Sequence, residues 1–96
     1  MPELDELREQ INRIDEQIMD LYQQRMAVVR DIGAFKRENG LPLCDPTREH
    51  AKIAEAMDAV PDDLREHAAS LMSLLMETSR ALQRDAIENE TSQDAG

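Results

Sequence analysis

The sequence predicts an all-α fold with three helices per chain, one long, one short and one medium, paired with a second copy of the chain. Three observations carry this. Aromatic residues make up only 2% of the chain and Trp is absent, while Leu, Ile, Met, Ala and Val supply the apolar content. That composition favours helices over sheets. Apolar residues also recur on a seven-residue pattern, in one row of Leu4, Ile11, Ile18, position 25 and Ile32 and a second of Leu7, Ile14, Leu21, Val28 and Phe35. This is the periodicity of a helix with one buried seam. Finally, the seam is long: about 35 residues at 1.5 Å each make a rod of ~50 Å. A compact domain of this size is only ~30–35 Å across. Two shorter helices cannot cover such a rod, and a two-fold copy of the chain is the simplest cover.

The first helix is expected from Leu4 to Glu38, stopping at Asn39-Gly40 with Pro42 just beyond. A short loop, Gly40 to Cys44, leads to Asp45 as N-cap and Pro46 in the first turn of the second helix. That helix carries Arg48, Glu49, Ile53, Ala54 and Met57 and ends near Asp58. Pro61 with Asp62 and Asp63 opens the third helix, acids first as the macrodipole favours. Its apolar stripe is Leu64, Ala68, Leu71, Leu75 and Leu82, and it is expected to run to about Ile87. Residues 1–87 then form one domain. The segment Glu88–Gly96 is polar and aperiodic and is expected to be a disordered tail.

A net charge of −10 argues against nucleic acid or anionic membranes as partners. An anionic small ligand would need a basic pocket working against that field. Cys44 is the only cysteine, so no internal disulfide is possible, which fits a reducing cytoplasm. Neither a leader segment nor an apolar run of membrane-spanning length is visible. The sequence has no zinc-ligand spacing, no phosphate-cradling Gly-rich loop and no recognisable Ser/His/Asp set, so no metal or cofactor is expected.

Position 25 breaks the seam. Nine of its ten positions are apolar and the tenth is Arg25. A charge there is costly unless it is paired or bound. Arg25 could be the polar residue that fixes register in a simple coiled coil, or it could hold a small anion. Lys36 lies eleven residues on, three turns away on the same side and ~16 Å along the axis. Arg8 lies seventeen residues before Arg25, ~25 Å away, and cannot join them within one chain. With an antiparallel partner and a dyad near Met19, Arg8 of the partner subunit falls between Arg25 and Lys36. The third helix adds Ser79 and Gln83, one turn apart, continuing a line from Met72 and Met76. They are either a pocket wall turning polar at its end or an exposed polar edge. Arg48 and Glu49, taken alone, read as surface charges.

Taken in order, these segments resemble the all-helical (AroQ-class) chorismate mutase family. The likeness covers about Leu4 to Arg84. It rests on Leu7-Arg8 with Ile11, Ile14 and Asp15, then Gln24-Arg25, then Gly33-Ala34-Phe35-Lys36. It continues through Asp45-Pro46-Thr47-Arg48-Glu49 and closes on Ser79-Arg80-Ala81-Leu82-Gln83. The resemblance implies an intertwined homodimer that converts chorismate to prephenate, a step toward phenylalanine and tyrosine, without a cofactor. It also implies roles for particular residues. Arg25 and the partner subunit's Arg8 would bind the substrate carboxylates, and Lys36 would contact a carboxylate and the ether oxygen. Gln83 would donate to that ether oxygen. Glu49, with the Asp45 backbone, would accept from the ring hydroxyl, while Arg48 and Ser79 complete the pocket. Two relatives of the same fold remain open, an isochorismate-pyruvate lyase and a 4-amino-4-deoxychorismate mutase, as does a non-catalytic helical dimer. The Asp45, Arg48 and Glu49 motif favours a mutase over the lyase, whereas Glu49 could serve either a hydroxyl or an amine. A pathway enzyme could act as a further partner. Cys44 stands where some relatives carry a basic residue and reads as a bystander thiol rather than a redox switch.

Overall fold

The computed structural model describes the backbone of residues 2–95 and the side chains of residues 3–85. Three α-helices follow one another: α1 over Pro2–Glu38, α2 over Pro46–Asp58 and α3 over Arg65–Ala95, the last preceded by a single 3-10 turn at Asp62–Leu64. Among the described residues there is no strand.

Each boundary has a local cause. The first turn of α1 carries Glu3 and Asp5 and its last turn Lys36 and Arg37, charges that complement the helix dipole at both ends. Its stop is a Schellman motif. Gly40 takes φ +64°; Leu41 N donates to Lys36 O at 2.8 Å and Gly40 N to Arg37 O at 3.3 Å. A side chain at Gly40 would be strained by that φ. The N-cap of α2 is Asp45, whose Oδ1 accepts from Arg48 N at 3.2 Å, with Pro46 in the first turn. At the other end of α2, Arg65 Nη1 donates to Met57 O at 3.2 Å and Asp58 Oδ1 at 2.9 Å, which ties the start of α3 to a helix end with spare carbonyls.

The third helix departs from expectation at both ends. Pro61 offers no side-chain cap, and Leu64 N instead bonds Pro61 O at 2.9 Å, so the entry is 3-10 before it becomes α. The backbone of α3 then continues past Ile87 to Ala95. The side chains of the polar segment expected to be disordered lie outside the described residues.

α3 packs against both α1 and α2. Tyr22 OH donates to Thr78 Oγ1 at 3.0 Å and pins α1 to α3 at mid-length. The chain measures 59 × 31 × 14 Å, with a radius of gyration of 17.5 Å. A compact chain of this length would have a radius near ~12–13 Å. The shortest dimension is little more than one helix diameter of ~10–12 Å, so the helices form a single layer with almost no interior. Among the described residues only Val29 and Met76 are buried apolar side chains, while all nine apolar seam positions of α1 are 42–62% exposed. Among the described residues no helix is long and apolar enough to cross a membrane.

Candidate functional site

One cleft opens where the C-terminal half of α1, the start of α2 and the middle of α3 converge. Arg25, Val29, Ile32 and Lys36 line it from α1; Leu43 and Asp45 from the loop; Arg48, Glu49 and Lys52 from α2; and Met76, Ser79, Arg80 and Gln83 from α3. Helix geometry explains the set, since each helical residue has another of its group three or four positions away and so shares its face. Seven of the eight residues singled out in the sequence meet here; Arg8 does not line the cleft. It stands exposed on α1 near the other end of the rod.

Five cations and two carboxylates line the cleft, in a chain whose net charge is −10. The local field is therefore reversed against the whole. Two of the cations, Arg25 and Lys36, are oriented by neutral acceptors and two, Lys52 and Arg80, by carboxylates. Arg25 Nη1 donates to Ser79 Oγ and to Leu75 O, the latter at 3.3 Å, and the Ser79 hydroxyl in turn donates to Leu75 O at 2.7 Å. Lys36 Nζ donates to Leu43 O at 2.9 Å. Among the described residues no carboxylate pairs with Arg25, Lys36 or Arg48. The charges of Arg25 and Lys36 are thus held in place without being neutralised, an arrangement suited to an anion.

Glu49 is differently engaged. Its Oε1 accepts from Arg80 Nη1 of α3, and its Oε2 from Cys44 Sγ at 3.2 Å. The hydrogen bond to Glu49 is the main cause that pushes the Cys44 thiol above its ordinary pKa, because deprotonation would set a thiolate beside a carboxylate. A thiol so held is a poor nucleophile, which supports the bystander reading over a redox switch.

Ser79 and Gln83 are 8% and 6% exposed, so neither is an exposed polar edge. Ser79 is satisfied by Arg25 and Leu75. Gln83 is not: its Oε1 is sealed from solvent with no donor among the described residues. An unsatisfied buried group of this kind costs about 1–3 kcal/mol. Gly33 makes room for it. A Cβ built at Gly33 would stand 3.1 Å from Gln83 Cγ, tighter than ordinary van der Waals contact. The approach of α1 to α3 therefore fixes where the amide sits.

Among the charged lining residues, sequence reasoning missed two, Lys52 and Arg80. Lys52 lies one turn after Arg48, and Arg80 lies inside the Ser79–Gln83 segment. Spacing could have placed both on the cleft faces, yet charges on a helix otherwise read as a solvated surface.

Fold and cleft together define an all-helical protein with a cationic cleft whose hydrogen-bond donors suit a small anion. Comparison with known proteins names the family. The model described as "Chorismate mutase type II" matches residues 7–84, and the chain belongs to that family. It is 29% identical over 91 residues to a chorismate mutase of Methanocaldococcus jannaschii, covering 88% of each chain. It is 30% identical over 91 residues to a T-protein of Haemophilus influenzae, covering 94% of this chain and 22% of that one. A T-protein of Enterobacter agglomerans is 38% identical over 66 residues, 62% of this chain and 18% of its own. The chain thus spans about a fifth of the two T-proteins. No solved structure matches it.

Proposed function

We propose that the chain is a chorismate mutase that rearranges chorismate to prephenate in aromatic amino acid biosynthesis. The observation that carries this is the cleft: three cations without carboxylate partners and a buried amide whose oxygen lacks a donor, within the stretch that the family model matches. The reaction is an intramolecular Claisen rearrangement. One C–O bond breaks as one C–C bond forms, and no proton or electron leaves the substrate. The protein's task is to hold a flexible dianion in a reactive chair and to place positive charge where the ether oxygen gains electron density.

Each side chain has a part in that task. Arg25, aimed by Ser79, takes one substrate carboxylate with a planar fork suited to carboxylates. The Lys36 ammonium has three donors, so it can keep Leu43 O and still reach a carboxylate and the ether oxygen. Gln83 donates its amide N–H to the ether oxygen, a bond that strengthens as the C–O bond opens. Glu49 accepts from the ring hydroxyl beside the Asp45 backbone, and Arg48 completes the cationic wall.

The working form is an intertwined homodimer with two shared sites. The exposed apolar seam and the one-layer thickness support it, because a second copy covers what α2 and α3 leave open. The position of Arg8 supports it too. Pairing about a dyad near Met19 brings the partner subunit's Arg8 opposite the stretch between Arg25 and Lys36.

The test is loss of chorismate absorbance with purified protein, products resolved by chromatography and isochorismate run in parallel. Prephenate from chorismate is the expected result. Salicylate and pyruvate from isochorismate with little prephenate would move the chain to the lyase branch, and inertness toward both would remove the enzymatic reading.

Gly33→Ala separates positioning from stability. Alanine gains about 1 kcal/mol of helix propensity over glycine, so the melting temperature should hold or rise. The added methyl pushes on Gln83, and a displacement of this kind should lower kcat by about tenfold to a hundredfold. An unchanged kcat would show that the amide position is not critical.

A further inference from the structure

Arg80 has no part in the roles above, yet it meets the substrate-facing carboxylate directly. It reaches Glu49 from α3 across the cleft, and the two side chains are 31% and 22% exposed. A pair this sheltered is screened less than one on the surface. The consequence is electrostatic. Glu49 alone would offer an uncompensated negative charge to the ring substituent, which a protonated amine satisfies better than a hydroxyl does. With Arg80 on Oε1, that charge is compensated. Cys44 adds only a neutral donor on Oε2. A carboxylate has about four acceptor positions, so a neutral hydroxyl can still be accepted without breaking either contact. An ammonium at the same place would face the Arg80 guanidinium, with Arg48 and Lys52 of α2 and Arg25 and Lys36 of α1 lining the same cleft and Asp45 as the one further carboxylate there.

We propose that Arg80 is the positioning residue that makes the ring subsite select a hydroxyl over an ammonium, and hence chorismate over 4-amino-4-deoxychorismate. The inference rests on the mutase reading and deepens it. Glu49 by itself would favour the ammonium; the ion pair reverses that preference by placing a like charge against it.

The experiment measures kcat/KM for both substrates with the wild type, Arg80→Gln, Arg80→Met and Arg80→Lys. The two neutral variants should lower the ratio of chorismate to aminodeoxychorismate by about tenfold or more, mainly through a lower KM for the amine. Arg80→Lys keeps the charge and should stay within about threefold of wild type. The ratio compares two substrates on one preparation, so a partly unfolded variant does not distort it. A ratio unchanged in both neutral variants overturns the proposal, as does an equal loss in Arg80→Lys, which would signal a merely structural contact. A wild type inert toward chorismate would instead overturn the mutase reading, and this inference with it.

Discussion

Arg8→Ala and Arg25→Ala are each expected to lower chorismate turnover by about 10²–10³-fold, and the two variants combined in one dimer are expected to recover it. Arg25 lines the cleft and is aimed across it by Ser79. Arg8 sits seventeen residues earlier on the same rod, ~25 Å away. Both can act on one small ligand only if they come from different chains. A mixed dimer then has one site with both arginines and one with neither. Random pairing after co-expression or joint refolding gives about a quarter of wild-type activity per chain. Simple mixing should recover less, because exchange has to separate the long paired helices. The melting temperature of Arg25→Ala should not fall, since the variant removes a charge from an apolar seam and leaves Leu75 O with the Ser79 and Thr78 hydroxyls. A mixture as inactive as its parents would mean that each site lies within one chain. Full activity in Arg8→Ala would remove that residue from the site.

How far the sequence reveals this molecule depends on the range of the cause. The second helix begins where Asp45 and Pro46 place it, and the first ends where Asn39-Gly40 places it, because caps act within a few residues. The entry to α3 was less legible: acids after Pro61 suit any helix start, and nothing local distinguishes a 3-10 turn from an α turn. The seam was legible as a pattern, and its exposure in one chain follows from length alone. Burial of Ser79 and Gln83 was not legible from their types, since isolated polar residues usually face water. Gln83 is buried where Gly33 lets α1 approach α3 closely, and Ser79 where it meets Arg25 of α1, both non-local causes. The ion pair of Glu49 with Arg80 is non-local as well. It joins residues thirty-one apart, and only the packing of α2 on α3 makes them neighbours.

Gln83→Met is expected to raise or preserve the melting temperature while lowering kcat by about 10²–10³-fold. The stability half follows from the unsatisfied Oε1. Replacing a buried polar group that lacks a partner with an apolar one of similar shape is neutral or stabilising. The activity half follows from the role proposed for Gln83, donation to the ether oxygen, which methionine cannot perform. If Gln83 served only to pack α3 against α1, both quantities would change little. Gln83→Glu then reports on the donor itself. The wild-type amide does not titrate near neutrality, so no acid limb of the rate profile belongs to this position. A carboxyl in its place donates only when protonated, and once ionised it sets a negative charge against an oxygen that is itself gaining electron density. Activity of this variant should therefore be greatest in acid and fall as pH rises through the pKa of the new carboxyl. Burial beside Gly33 and Met76 moves that pKa up, and Arg25 and Lys36 in the same cleft move it down. These opposing effects shift the midpoint without changing the sign. The rate profile of purified Gln83→Glu, measured against wild type in the same buffers, decides the matter. Parallel profiles would remove Gln83 from contact with the breaking bond and leave Lys36 as the residue to test next at the ether oxygen.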